Sequence, residues 1–423
     1  MSSLVPAAIW AVLLAGRGRF WSTGAGLPPE RPAEPVAAYP PRTGTQAEAE
    51  TTTRPCPTWP PLAVIVPARN ESELLPSTLP HLLWQDYPGT AQVILVDGGS
   101  TDRTGDVARQ LARAAGPTPL SLTVLEVPAP PDGWAGKPWA MARGADLARR
   151  SRPRPEWLLF TDADITHPPG SLRRLVTSAI GGGREAVSLM ARLIGPDNNE
   201  PTRWERLLLP AFVYFFSQLY PRSWVNDPSR KTAAAAGGCL LVRLKALEAA
   251  GGVEAIAGNT IDDVALAKVL KGAGSDIWLG LAGGGRPPDQ APAVQSLRRY
   301  PSLAGIWEMV SRNAYTQLGH NPALLLGTLA GMGVTYVAPP LMALAGLGTR
   351  RRLMVMAGLA TWAAMATSYA PTACYYRASA ASGLALPLVA SLYCAMTVSS
   401  ACQYHRRRAP HPDRNSLPSP AGP

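Results

Sequence analysis

The chain has 423 residues, of which 46% are hydrophobic and only 16% charged, a more apolar balance than an ordinary soluble domain carries. Its formal charge of +11 is spread out or sits beside apolar runs, as at Arg350 to Arg352 and Arg406 to Arg408, which fits membrane-flanking anchors and argues against a nucleic-acid partner. Cys56, Cys239, Cys374, Cys394 and Cys402 show no paired spacing, so neither a zinc site nor a disulfide framework is indicated and a reducing, cytoplasmic setting is expected.

In chain order, residues 1–20 hold a short apolar stretch ending at Arg17 and Arg19, with no small-residue cleavage site behind it. They are predicted to form an uncleaved membrane anchor that leaves the following domain in the cytoplasm. Residues 21–60 are dominated by Pro, Ala, Thr and Glu without apolar periodicity, the composition of a linker.

From 61 to 321 strands and helices are predicted to alternate. Strands are expected at Leu62 to Val66, Val93 to Val96, Leu122 to Val127 and Trp157 to Phe160, with an amphipathic helix over Thr104 to Ala114. This β-α-β rhythm predicts an α/β fold with a mostly parallel sheet and ligand groups at the C-terminal strand ends. Apolar runs at about 322–347, 353–375 and 383–403 are each long enough to span or enter a bilayer. Residues 404–423 read as a disordered basic tail.

The chemistry concentrates at Leu158-Leu159-Phe160-Thr161-Asp162-Ala163-Asp164, an apolar strand that runs into two carboxylates one residue apart. Such a pair can hold Mg²⁺ or Mn²⁺, hard cations that take oxygen ligands and leave positions for a diphosphate. An isolated triplet of this kind is common in surface loops, and its company is what gives it weight. Upstream, Val64-Ile65-Val66-Pro67-Ala68-Arg69-Asn70-Glu71 and Ile94-Leu95-Val96-Asp97-Gly98-Gly99-Ser100-Thr101-Asp102 are two strands that each end in a polar turn. Asp97 is placed to accept a hydrogen bond from a nucleobase or ribose. Gly133-Trp134-Ala135-Gly136-Lys137 reads as a flexible loop offering one ammonium to a phosphate. Thr260-Ile261-Asp262-Asp263 opens an amphipathic helix with two acids, which the helix dipole favours in any case. The functional reading makes Asp263 a general base.

Together these elements resemble the family 2 glycosyltransferases, over about residues 62–315. The resemblance implies a GT-A fold and an inverting, metal-dependent transfer from a nucleotide sugar, with a UDP-sugar expected. It implies nucleotide-sugar contacts by Pro67, Arg69, Glu71, Asp97, Lys137 and Asp162, metal ligation by Asp162 and Asp164, and base duty for Asp263. Within the family the chain is most similar to the transferases associated with hopanoid lipid biosynthesis, through Gly133 to Ala140, Phe212 to Asn226, Thr232 to Cys239 and Ser296 to Pro301. That implies a lipid acceptor, with a hopanoid as one candidate, at a bacterial inner membrane.

Two features depart from the family. The aromatic after Gln295-Ser296-Leu297-Arg298 stands one place late, at Tyr300, which weakens a processive polysaccharide-synthase reading. Asp262 replaces the more usual Glu. A catalytically silent scaffold is the remaining alternative, against which the intact acids speak.

Several other features have plainer readings. His167 is expected to be structural rather than a metal ligand. Phe212, Tyr214, Phe215, Phe216 and Tyr220 suit either a lipid-facing cluster or a buried helix. Asn70-Glu71-Ser72 is a chance sequon. Gly283 to Pro292 reads as a mobile loop. Gly327, Gly331, Gly333 and Pro339-Pro340 suggest that the first apolar run is re-entrant or lies along the interface, which would leave two crossings and a cytoplasmic C-terminus.

Overall fold

A computed structural model describes residues 4–24, 27, 59–193, 200–287 and 293–408. Most of the expected linker, Cys56, residues 288–292 of the Gly/Pro-rich loop and the tail beyond residue 408 lie outside the described residues.

The centre is a seven-stranded sheet in the order β3-β2-β1-β4-β7-β6-β8. Its strands are β1 (Leu62–Ala68), β2 (Ala91–Asp97), β3 (Ser121–Glu126), β4 (Trp157–Phe160), β6 (Ala186–Met190), β7 (Leu240–Arg243) and β8 (Ile277–Leu281). β1 pairs in parallel with β2 and β4, β2 with β3, and β6 with β8, whereas β7 runs antiparallel to both neighbours. The expected mostly parallel α/β sheet is therefore present.

β1 is buried almost throughout because both faces are covered. Ala63 and Ile65 face one core with Ile94, Val96, Leu158 and Phe160. Leu62, Val64 and Val66 face the other with Val93, Leu95 and Leu159. The first core lies under α4 (Gly136–Arg150) and α9 (Asp262–Gly272), the second under α2 (Leu75–Leu83) and α5 (Ser171–Gly181). A Cβ on Gly144 would come within 2.6 Å of the Ile65 side chain, so glycine there lets α4 lie close on β1. A short antiparallel pair, β5 (Ile165–Thr166) with β9 (Gln295–Ser296), stands at the C-terminal end of β4.

A third core joins the sheet domain to the apolar helices. It is built on α6 (Arg203–Leu219), α13 (Arg352–Tyr375) and α14 (Leu386–Arg408). α6 carries most of the aromatic run, with Tyr214 buried and Phe212, Phe215 and Phe216 partly so. Tyr214 is fully buried, with its hydroxyl 2.6 Å from Ser368 Oγ, and Phe215 packs edge-on against Tyr336 and Tyr393.

Three helical stretches, Pro322–Gly348, Arg352–Tyr375 and Ala380–Arg406, are long and apolar enough to cross a membrane. Leu326, Leu341, Leu344, Leu353 and Met356 are more than half exposed on them, the signature of a surface meant for lipid. The glycines and prolines of the first stretch do not turn the chain back. α11 (Pro322–Met332) passes through one π-helical turn, Gly333–Val337, into α12 (Ala338–Gly348), and the prolines fall in the first turn of α12, where a missing N–H is tolerated.

α1 (Val5–Gly16) spans only about 18 Å, short of the roughly 30 Å hydrocarbon core. It packs instead beside α13, with Trp10 buried and its indole N–H donating to the Thr335 carbonyl at 2.8 Å. The expected tail is helical at its start, because α14 runs on to Arg408.

Candidate functional site

The C-terminal ends of β1, β2 and β4 open on one side of the sheet, and there the polar turns meet. The turns after β1 and β2 interlock through short side chains. Ser100 Oγ accepts from Asn70 N at 3.0 Å, Asn70 Oδ1 from Thr101 N at 2.8 Å, Asp102 Oδ2 from Ser72 N at 2.9 Å and Thr104 Oγ1 from Glu71 N at 2.9 Å. Asn70 thus has a structural task, in a left-handed backbone conformation with φ 57°. Asp97 is buried, and its carboxylate accepts from Ser100 N at 2.8 Å and Gly105 N at 3.2 Å, so it shapes its own turn. Pro67 lines the cleft beside Asp162, whereas Arg69 is exposed on the rim.

Lys137 corrects the sequence reading. It is the second residue of α4 rather than part of a flexible loop. A cation is disfavoured at a helix N-terminus, yet two carboxylates hold it there: Nζ lies 2.6 Å from Asp162 Oδ1 and 3.2 Å from Asp262 Oδ2. Burial works against its charge, but Asp162 and Asp262 outweigh burial and raise its pKa above the ordinary lysine value. The ammonium thereby bridges the end of β4 and the start of α9.

Asp164 faces the other way. Its Oδ2 accepts from Ser296 Oγ at 2.7 Å and lies 3.4 Å from Arg298 Nε, while Arg298 Nη2 reaches Glu71 Oε1 at 2.5 Å. Burial, only partly offset by Arg298, raises the Glu71 pKa. Glu71 therefore meets a guanidinium of the chain itself. Asp162 Oδ2 and Asp164 Oδ1 take no hydrogen bond among the described residues. The pair fits a hard divalent cation in that each acid keeps one oxygen to offer; no cluster of three or more potential ligands occurs among the described residues.

Asp263 sits in the first turn of α9, its carboxylate accepting from Gly237 N at 2.9 Å and from its neighbour Val264 N at 2.7 Å. Burial, and then the adjacent Asp262 charge, push its pKa up to about 6, against the opposing pull of Lys137. A Cβ on Gly237 would lie 2.9 Å from Lys137 Nζ and 3.6 Å from Asp263 Oδ2, so glycine keeps this corner open.

His167 is structural, as expected. It is fully buried, its Nε2 lies 2.9 Å from Thr161 Oγ1, and burial pushes its pKa down to about 3. Thr161 Oγ1 donates to Gly238 O at 2.8 Å, so the Nε2 must carry the proton and donate to the hydroxyl. That network ties β4 to the turn holding Asp263.

Of the residues that sequence reasoning named, Pro67, Lys137, Asp162 and Asp263 line one cleft, and Asp164 faces Ser296 and Arg298 beside it. That reasoning missed Ser296, Arg298, Thr161 and Gly237 as parts of the site. Only Arg298 carried a signal, as the arginine of the Gln295-to-Arg298 element.

Residues 63–250 match the family model described as Glycosyl transferase family 2. Asp162, Asp164 and Lys137 fall within that segment, and Asp263 and Arg298 beyond it. Among curated proteins, the chain is 35% identical over 106 residues to the 4,4'-diaponeurosporenoate glycosyltransferase of Staphylococcus aureus strain USA300, covering 25% of this chain and 24% of that one. The chain thus spans about a quarter of the length of the curated relatives it matches.

Among solved structures, the Pyrobaculum calidifontis mannosyltransferase in complex with GDP-Man and Mn²⁺ shares 21% identity, with a TM-score of 0.47 over 83% of this chain and 90% of that one. S. aureus TarS 1–349 in complex with UDP-GlcNAc shares 13% identity, with a TM-score of 0.35 over 82% and 92%. With the sheet and the acid-bearing strand end already described, the family match leads to one statement: residues 63–250, on a mostly parallel α/β sheet, are similar to the family 2 glycosyl transferases.

Proposed function

We infer that the chain transfers a glycosyl group, with inversion, from a nucleotide sugar to a hydroxyl of a lipid or membrane-associated acceptor. The observation that carries this reading is the half-buried Asp263 carboxylate, oriented by two backbone N–H groups beside the acids at the end of β4. Asp263 removes the proton of the acceptor hydroxyl as that oxygen attacks the anomeric carbon. The bond from that carbon to the diphosphate breaks, and the nucleoside diphosphate leaves with the electron pair. Asp162 and Asp164 would hold Mg²⁺ or Mn²⁺, which when bound supplies charge stabilisation to the leaving diphosphate. Pro67, Arg69, Asp97 and Lys137 border the nucleotide side. Glu71 acts there by fixing Arg298 rather than through a direct contact.

The membrane half of the reading is supported by the three exposed apolar helices and by a relative that glycosylates diaponeurosporenoate, a lipid. A hopanoid acceptor rests on motif resemblance alone. With the catalytic domain on the cytoplasmic face of a bacterial inner membrane, a reporter fused after Pro423 distinguishes two crossings from three. The test of function incubates membranes containing the chain with a panel of labelled nucleotide sugars, starting from UDP-sugars. Label entering the lipid fraction supports the reading, label entering a long polymer favours a polysaccharide synthase, and no incorporation at all favours a silent scaffold.

A further inference from the structure

The two acids expected to bind a cation each already face a cation of the chain, and the two resident cations differ in kind. Arg298 is a planar fork set between Glu71 and Asp164. Lys137 is a point charge on a flexible four-carbon stem, placed between Asp162 and Asp262. Only the lysine can leave one carboxylate by stem rotation alone, and Gly237 beside its Nζ adds no side chain of its own to the corner that Lys137 shares with Asp263.

An ammonium and a divalent cation on the same Asp162 carboxylate repel each other, so a cation arriving alone must work against Lys137. A diphosphate changes that balance, because it offers the ammonium new oxygens close at hand. We propose that Lys137 couples the two components of the donor: it holds Asp162 against a divalent cation until a nucleotide diphosphate draws the ammonium away, so cation and nucleotide bind cooperatively. This rests on the donor-binding reading above and adds to it a competition that the diphosphate relieves. A lysine serving only as a structural bridge between β4 and α9 would show no such competition.

The test measures Mn²⁺ binding to the detergent-solubilised full chain by electron paramagnetic resonance of the free ion, alone and with UDP or GDP. Wild type should bind Mn²⁺ weakly alone, and at least about tenfold more tightly with the diphosphate the site accepts. Lys137→Met should bind Mn²⁺ alone at least about tenfold more tightly than wild type, with a smaller gain from the nucleotide than wild type shows. Lys137→Gln, which retains a polar head to help folding, should behave like Lys137→Met. The inference is overturned if the folded variants bind Mn²⁺ no more tightly than wild type, or if their gain from nucleotide equals that of wild type. If wild type binds neither Mn²⁺ nor either nucleotide, the donor-binding reading itself falls.

Discussion

The site contains two clusters of the same formal composition, each a single cation between two acids from separate elements. In one, Lys137 of α4 joins Asp162 after β4 to Asp262 of α9. In the other, Arg298, just beyond β9, joins Glu71, just beyond β1, to Asp164. A guanidinium spends several fixed donors at once and suits a permanent joint, whereas an ammonium can exchange partners at small cost. The difference teaches that equal charge counts do not make equal geometry, and that the lysine cluster is the one that stands beside Asp263.

The comparison breaks first at the acids the two clusters share with the expected cation. Asp162→Ala or Asp164→Ala should abolish transfer, because several kcal/mol of charge stabilisation on the departing diphosphate is lost; undiminished turnover in excess chelator would refute the metal assignment. Next in size, Asp263→Asn should lower kcat by at least about a hundredfold while donor affinity, read by titration calorimetry, stays nearly unchanged. A parallel loss of affinity would make Asp263 a binding residue.

The raised Asp263 pKa fixes the pH dependence. A base works when ionised, so kcat/KM should fall about tenfold per pH unit below about 6 and level off above it. A profile flat down to pH 4.5 would show that Asp263 is not the group titrating. The linkage runs the opposite way for stability. A carboxyl whose folded pKa lies above its ordinary value favours the fold most when protonated, and that contribution is lost as pH rises from the ordinary carboxyl range through about 6.

Arg298→Lys keeps the charge and loses the fork, and should cost about tenfold in kcat/KM. Full activity in this variant would mean that the second cluster is as exchangeable as the first. The smallest effect on chemistry is expected at a third ion pair, formed by Arg299, the residue after Arg298. Glu205 is buried, its oxygens accept from Arg299 Nε at 3.0 Å and Nη2 at 2.9 Å, and it closes a capping box with Thr202. Glu205→Ala should lower stability by about 2 kcal/mol, seen as a reduced melting temperature in detergent, with the residual folded enzyme retaining its KM for donor.

The sheet was legible because parallel strands buried on both faces are written as unbroken apolar runs, as in Ala63 to Val66 and Trp157 to Phe160. The acids followed from their place at those strand ends. What could not be read was set by contacts distant in sequence. Nothing local to Gly136-Lys137 shows that carboxylates from Asp162 and Asp262 will outweigh an unfavourable helix dipole and keep a lysine in the first turn of a helix. Arg298 lies 227 positions from Glu71, and only folding brings them together. Pro339 and Pro340 announced a break, but one wider helical turn ahead of them absorbs the missing donors and the helix continues.

One mechanical consequence follows from α6. Its start is fastened to the catalytic half through Glu205 and Arg299, and its flank to the apolar helices through the Tyr214 contact with Ser368 and the Tyr393 hydroxyl bonded to Leu208 O at 2.9 Å. A helix fastened at its start to one half and along its flank to the other limits how far the sheet domain can shift against the apolar helices, and so would limit the height of Asp263 above them. Acceptors would then be sorted by how far their hydroxyl stands out from the apolar body that anchors them. A series differing only in spacer length should show a sharp optimum in kcat, and a shortened or loosened α6 should move that optimum without altering donor affinity.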